Sequence, residues 1–184
     1  EAGEVTDWIY ASTSLIHVLV FGLAPGRRFV HSPAYRTVFG ADEVFQVLSG
    51  TMVVANPETG EVHRVSTGGR VAFGAGTWHH AFAHGAAPLR VLEIFAPPPS
   101  TGSSGPYART RPYLDEVRYA NDALLVDGSP GESPRRTLRV IREPDIVWRR
   151  DLGVLVGVLS STPQLTVGTL EVNPGETSAA HAHA

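Results

Sequence analysis

The sequence predicts an all-β chain built as antiparallel sandwiches or barrels, and three observations carry that expectation. Short runs of branched or alternating apolar residues recur about every 8–12 residues. Glycine, proline and asparagine corners separate them, as at Pro25-Gly26, Asn56-Pro57 and Gly68-Gly69. Up to residue 96 no segment shows the apolar period of an amphipathic helix, close to 3.6 residues.

Taken in order, a lead-in strand is expected around Trp8-Ile9-Tyr10. Residues 15–23 (LIHVLVFGL) are rich in branched side chains and too short for a typical helix, so they read as a strand that Pro25-Gly26 ends. Residues 28–31 form the next expected strand, stopped by Pro33. Strands follow at 43–50, 51–55 and 61–65, the last two joined by the Asn56–Gly60 turn. After Gly68-Gly69 comes a short apolar strand, a turn at Gly74–Gly76 and a strand opening with Trp78-His79, then a further strand at 88–95. The run APPPSTGSSGP at 96–106 reads as a linker, because its prolines stiffen it and its Ser/Gly part loosens it. A short helix is expected at 114–125, and strands resume at 138–141, 146–149, 154–159 and 165–172.

Composition excludes several function classes. Hydrophobic residues make up 42% and charged residues 18% of 184, the balance of a soluble globular protein with a real core. A formal net charge of −3 argues against nucleic acid or an anionic membrane as the main partner. All fifteen basic residues are arginine, which removes lysine Schiff-base chemistry. The absence of cysteine removes disulfides, thiolate catalysis and sulfur-bound metals. Any metal must be held by carboxylates and by some of the eight histidines. No run of about eighteen apolar residues suggests a transmembrane helix, and no signal-peptide pattern opens the chain. A cytoplasmic location is the default expectation. Without an initiating Met, and stopping at His181-Ala182-His183-Ala184, the sequence reads as cut at both ends.

The chain also repeats itself. Residues 165–175, a strand ending in Pro174-Gly175, parallel residues 16–26, ending in Pro25-Gly26, at a spacing of 149. Gly175 is followed after five residues by His181 and then by His183. Residues two apart in a strand share a face, roughly 7 Å from one another, so two imidazoles so placed converge on one cation.

These stretches resemble the cupin superfamily. Its second motif runs Gly, five residues, Pro, any, Gly, two residues, His, three residues, Asn. Gly68, Gly76 and His79 fall on their marks, with Gly74 in place of the Pro and Ala83 in place of the Asn. Its first motif runs Gly, five residues, His, any, His, three or four residues, Glu, six residues, Gly. Gly175, His181 and His183 fit its opening, and Glu43 with Gly50 fits its second half. In the first copy, counting back from Glu43 reaches no histidine, and counting from Gly26 reaches Ser32 and Ala34, beside His31. An insertion between the two anchors explains the disagreement.

The resemblance implies a double-stranded β-helix (cupin jelly-roll barrel) over 1–96, a linker region over 97–136 and the first strands of a second barrel over 137–184, a bicupin. It implies a divalent metal, Fe, Mn or Zn, held in the second barrel by His181 and His183 with ligands beyond Ala184. In the first barrel the candidate ligands are Glu43 and His79, with His31 as a third, and that barrel is expected to be largely structural. Arg36 and Tyr35 fall near the barrel mouth, where an arginine holds a carboxylate bidentately. His80 is expected to point outward, His17 to be packed, and His63 and His84 to lie at the surface. The implied function is a metal-dependent, dioxygenase-type oxidoreductase acting on a small organic acid or aromatic compound. The alternatives are a non-catalytic ligand-binding or storage-type bicupin and a metal-dependent sugar isomerase. Open edge strands on a half-barrel lead us to expect a homo-oligomer.

Overall fold

The computed structural model describes residues 5–29, 35–56, 59, 61–98, 108–112, 137–151, 154–178 and 180. Among the described residues fifteen strands run in order: β1 (Val5–Ser12), β2 (His17–Leu23), β3 (Arg28–Phe29), β4 (Tyr35–Phe39), β5 (Asp42–Ser49), β6 (Thr51–Asn56), β7 (Glu61–Ser66), β8 (Arg70–Phe73), β9 (His80–Ala83), β10 (Leu89–Ala96), β11 (Ala108–Pro112), β12 (Arg139–Ile141), β13 (Val147–Asp151), β14 (Val154–Ser161) and β15 (Thr166–Glu171). One 3₁₀ turn, Glu143–Asp145, interrupts them.

Two sheets face each other. One has the order β1-β2-β10-β5-β8-β12 and the other β3-β9-β6-β7. Alternation along each strand sends Phe21, Leu23, Phe45, Val47, Val71, Phe73, Leu89 and Val91 of the first sheet against Met52, Val54, Val65, Ala81 and Ala83 of the second. This is the sandwich that the spacing of short strands predicts. Gly50, at φ +79°, turns β5 into β6 where a Cβ would come within 2.6 Å of the Pro88 carbonyl, so only glycine fits.

Two segments differ from expectation. The strand expected to open at Trp78-His79 begins at His80 instead, leaving His79 on the connection that enters the barrel. The region taken as linker contains β11, which pairs with β4 in a separate two-stranded ribbon. Neither β4 nor β11 has the apolar alternation that marks a strand, since arginine and threonine interrupt both YRTVF and ARTRP. The helix expected at 114–125 lies outside the described residues.

Beyond residue 136 the first strand, β12, pairs with β8 at the edge of the six-stranded sheet, so hydrogen bonding runs across that expected boundary. A second apolar cluster then covers the sheet's outer face. Val44, Ala72, Ile94 and Ala96 pack there against Ile141, Ile146, Trp148, Leu159 and Leu165.

The sequence repeat is also a structural one. β1–β2 and β14–β15 pair in the same register at a shift of 149, with Ile9↔Leu19 answered by Val158↔Gly168, and Ser12↔His17 by Ser161↔Thr166. Both hairpins carry an irregularity at the same place, between Ile9 and Ala11 and between Val158 and Ser160. Both turn on a threonine whose hydroxyl accepts two backbone N–H groups, Thr13 from Leu15 and Ile16 and Thr162 from Gln164 and Leu165. Both end in Pro-Gly with the glycine at positive φ, 71° at Gly26 and 83° at Gly175. They differ at one edge, since β13 is added alongside β14 while β1 ends its sheet.

A polar latch holds the later segment to the first unit. The Glu61 carboxylate accepts from the Thr137 amide at 2.7 Å, the Thr137 hydroxyl at 2.6 Å and the Thr59 hydroxyl at 3.1 Å. Asn56 Nδ2 donates to the same Thr137 hydroxyl at 2.7 Å. Burial opposes ionisation of Glu61, but these hydrogen bonds outweigh it and hold its carboxyl below the ordinary value. A depressed folded-state value means the contribution is complete above the unfolded value, near 4.5, and fades as pH falls through the folded one. Glu61→Ala is therefore expected to cost about 2–3 kcal/mol at neutral pH, since hydrogen bonds to a charged group are worth about 1.5–3 kcal/mol. Urea denaturation at pH 7 and pH 3 checks this, with the gap between wild type and variant narrowing at the lower pH.

Among the described residues no helix is long and apolar enough to cross a membrane.

Candidate metal centre

Four strands carry the site in two adjacent cross-strand rows. Register places His17, Phe95, Glu43 and Phe73 in one row across β2, β10, β5 and β8. The row beside it is Leu19, Glu93, Phe45 and Val71. All face inward, because they continue the alternating positions occupied by the main core. Glu43 and Glu93 are thus diagonal neighbours on adjacent strands.

His79 arrives from the opposite side, on the connection between β8 and β9. The Gly76 corner, at φ +78°, is tied back by its N–H to the Phe39 carbonyl at 2.7 Å. His79 Nδ1 donates to the Thr77 carbonyl at 3.2 Å, which assigns the ring proton to Nδ1 and leaves the Nε2 lone pair facing inward. Nε2 stands 3.7 Å from Glu43 Oε2. The ring is held between Phe73, centroid 4.3 Å away, and Phe45, at 5.4 Å.

Glu43, His79 and Glu93 each offer a ligand atom, and these atoms lie within 4.8 Å of one another. All three residues are buried, at 2%, 3% and 9% exposure. Such burial drives both carboxyls toward the neutral form. Desolvation pushes Glu43 well above the ordinary carboxylate value, and Glu93 and Asp42 push it further. Glu93 is raised to about 8, first by burial and then by Asp7, while a hydrogen bond from Glu43 pulls it back. Burial therefore favours the protonated form of the pair, whose carboxyls are hydrogen-bonded to one another. Even so, Glu43 Oε2 is buried with no hydrogen-bond partner.

A divalent cation fits these residues. Two carboxylates and one neutral imidazole are the donors that iron, manganese and zinc accept. A cation held by Glu43, His79 and Glu93 would give the orphaned Glu43 oxygen a partner, and the Thr77 carbonyl already orients the imidazole from behind.

The structure brings together Glu43 and His79 of the residues singled out in the sequence. His31, His181 and His183 lie outside the described residues. Tyr35 and Arg36 sit on β4, at register positions opposite Pro112 and Arg111. His17 is packed as expected, 4% exposed beside Phe95, and burial lowers its pKa, with Asp7 acting in the opposite direction. His80 does turn away from the main core but is buried, at 2%, beside Trp78 and Phe82. Turning away from the core is therefore not the same as reaching solvent. His84 is exposed, whereas His63 is half-buried with Nε2 3.5 Å from Glu61.

Glu93 escaped the sequence reading. Its signal was present in Leu89, Val91, Glu93 and Phe95, an inward alternation broken by a single charge.

Comparison with known proteins bears on the same region. Residues 39–95 match the family described as Cupin domain. No curated protein matches the chain. Among solved structures, KdgF from Halomonas sp. is 21% identical, with 52% of this chain and 80% of that one covered at a TM-score of 0.44. An uncharacterized conserved protein with a double-stranded β-helix domain from Klebsiella pneumoniae is also 21% identical, covering 61% and 89% at 0.48. The polyketide cyclase RemF from Streptomyces resistomycificus is 17% identical, covering 64% and 77% at 0.46. These are likenesses of architecture and say nothing about chemistry.

Proposed function

Since the chain belongs to the cupin superfamily, we propose that its barrel is a metal-dependent enzyme in which Glu43, His79 and Glu93 hold one divalent cation. The observation that carries this reading is their convergence within 4.8 Å inside an apolar barrel. Two buried carboxyls cost stability unless something compensates them. A bound cation supplies Lewis acidity or a redox couple to an oxygen-bearing substrate.

The protein's own groups do the rest. Phe45 and Phe73 fix the His79 ring, and the Thr77 carbonyl fixes its tautomer. The phenylalanines keep water from the carboxylates, which strengthens every charge interaction inside. Glu43 and Glu93 together release the proton they hold when the cation enters. The reaction class we assign is oxidation of a small organic compound, of the dioxygenase type. Repetition of the β1–β2 hairpin at β14–β15 supports reading 137–184 as the start of a second unit, in which His181 and His183 are the metal-binding candidates.

Metal content measured after loading with Fe²⁺, Mn²⁺ or Zn²⁺ tests this. We expect about one equivalent in the first barrel that survives His181→Ala/His183→Ala and disappears in Glu43→Ala/His79→Ala. Uptake unaffected by the second pair of changes overturns the first-barrel site. No uptake at all favours a ligand-binding module instead.

A further inference from the structure

We infer that the chain carries a second binding site, on the outer face of the six-stranded sheet, and that it takes a small zwitterion, an α-amino acid with an apolar side chain. The inference is independent of the metal-centre reading, because Glu43 and Glu93 point to the other face of that sheet.

Three observations lead there. First, register builds a trough. Val44, Ala72 and Arg139 form one row across β5, β8 and β12. Two residues along lie Asp42, which opens β5, Gly74, which follows β8, and Thr137, which precedes β12. By alternation these share the face of the first row, and all six residues line one cavity of about 390 Å³. The middle of the trough carries only alanine and glycine, while the flanking strands stand roughly 10 Å apart, twice the spacing of neighbouring strands. A Cβ added at Gly74 would meet nothing closer than Asp42 Oδ1, at 3.7 Å, so the space above it is open. Ser160 and Leu165, from β14 and the turn that leads into β15, close the trough from the far side. Small-molecule sites usually span roughly 300–1,000 Å³, and this one suits a ligand at the lower end.

Second, the trough holds one fixed cation and one carboxylate with spare capacity. Arg139 Nη2 donates to Ser160 Oγ at 2.9 Å and to the Leu159 carbonyl at 3.2 Å. These bonds hold the guanidinium in place and leave the rest of its planar fork for a ligand carboxylate. Arg139 forms no ion pair among the described residues. Asp42 Oδ1 accepts from the Ala75 amide at 3.1 Å, which leaves Oδ2 to accept from an ammonium group. An anion alone answers Arg139 and is repelled by Asp42, and an amine alone does the reverse. An amino acid answers both.

Third, one wall is apolar. Val44, Ala72 and Leu165 belong to the cluster packed between the sheet and the β14–β15 hairpin. An aliphatic side chain laid against them removes apolar surface from water.

The test titrates the metal-free protein by calorimetry, so that a ligand seated on a cation is not mistaken for this site. The probes are L-leucine, 4-methylpentanoate, which lacks its amine, and 3-methylbutylamine, which lacks its carboxylate. Leucine is expected to bind at least tenfold more tightly than either, the effect of one hydrogen bond to a charged group. Arg139→Gln is expected to weaken leucine and 4-methylpentanoate about tenfold and to spare the amine. Asp42→Asn, which keeps an acceptor for the Ala75 amide, is expected to weaken leucine and the amine and to spare 4-methylpentanoate. Gly74→Val fills the trough and is expected to abolish leucine binding without lowering the melting temperature. Leucine failing to bind, or 4-methylpentanoate binding as tightly, overturns the ligand class. Leucine bound as tightly by Arg139→Gln or by Gly74→Val overturns the site. Should those two variants melt early, Asp42→Asn decides, since unchanged leucine affinity in it also overturns the site.

Discussion

Stripped of metal, the protein is expected to lose stability as pH rises from about 4.5 to about 8, the interval over which Glu93 is protonated in the folded chain and ionised in the unfolded one. The sign follows from the raised folded-state value. Below the unfolded value both states hold the proton, and stability is fully present. Through the interval only the folded state holds it, so each pH unit removes about 1.4 kcal/mol for one such group. Glu43, raised by burial and by Glu93 itself, acts in the same direction. Urea midpoints of the metal-free protein at pH 5 and pH 8 read this directly. A midpoint that holds or rises at pH 8 rules out the buried carboxyl pair.

Divalent cations are expected to reverse the trend. They compete with protons for the carboxyl pair, so they bind more tightly at higher pH and release protons as they do so. With Mn²⁺ in excess, stability at pH 8 recovers in proportion to the logarithm of free metal. Glu43→Leu, which replaces an orphaned buried carboxyl by an apolar group, should flatten the pH dependence of the metal-free protein and abolish the recovery.

Phe45→Ala is expected to cost about 3–5 kcal/mol, the usual range for deleting a buried phenylalanine. Natural domains hold only about 5–15 kcal/mol in total. Phe45 is 1% exposed, and three rings lean on it, those of Phe21 at 5.5 Å, Phe73 at 5.0 Å and His79 at 5.4 Å. The cavity also frees the His79 ring, so metal affinity falls along with stability. Phe45→Leu keeps most of the volume and should keep most of both. Chemical denaturation and Mn²⁺ titration of the two variants check the pairing. If Phe45→Ala loses stability but binds metal as tightly as wild type, Phe45 does not orient His79.

Much of the fold was legible because short apolar runs and the glycine and proline corners between them are local properties. Residues 15–23, 43–50 and 88–95 each show such a run, and each became a strand of the six-stranded sheet. The ribbon of β4 and β11 was not legible, because neither segment shows an apolar alternation in its sequence and the two pair across a long stretch of chain. His80 shows the same limit, since alternation gives the direction of a side chain but not what lies over it.

For the candidate site, the sequence by itself singled out Glu43 and His79, through their spacing from Gly50 and Gly76. It also determined the repeat at 149 residues, since the same threonine turn and the same Pro-Gly corner are written twice. Only the tertiary structure decided that Glu93 is their companion, that His17 stands in the same row as Glu43, and that β12 belongs to the six-stranded sheet. The physical reason is register. Which residues of distant strands stand side by side depends on how those strands pair, and pairing is settled by the whole core and its hydrogen bonds rather than within any one segment.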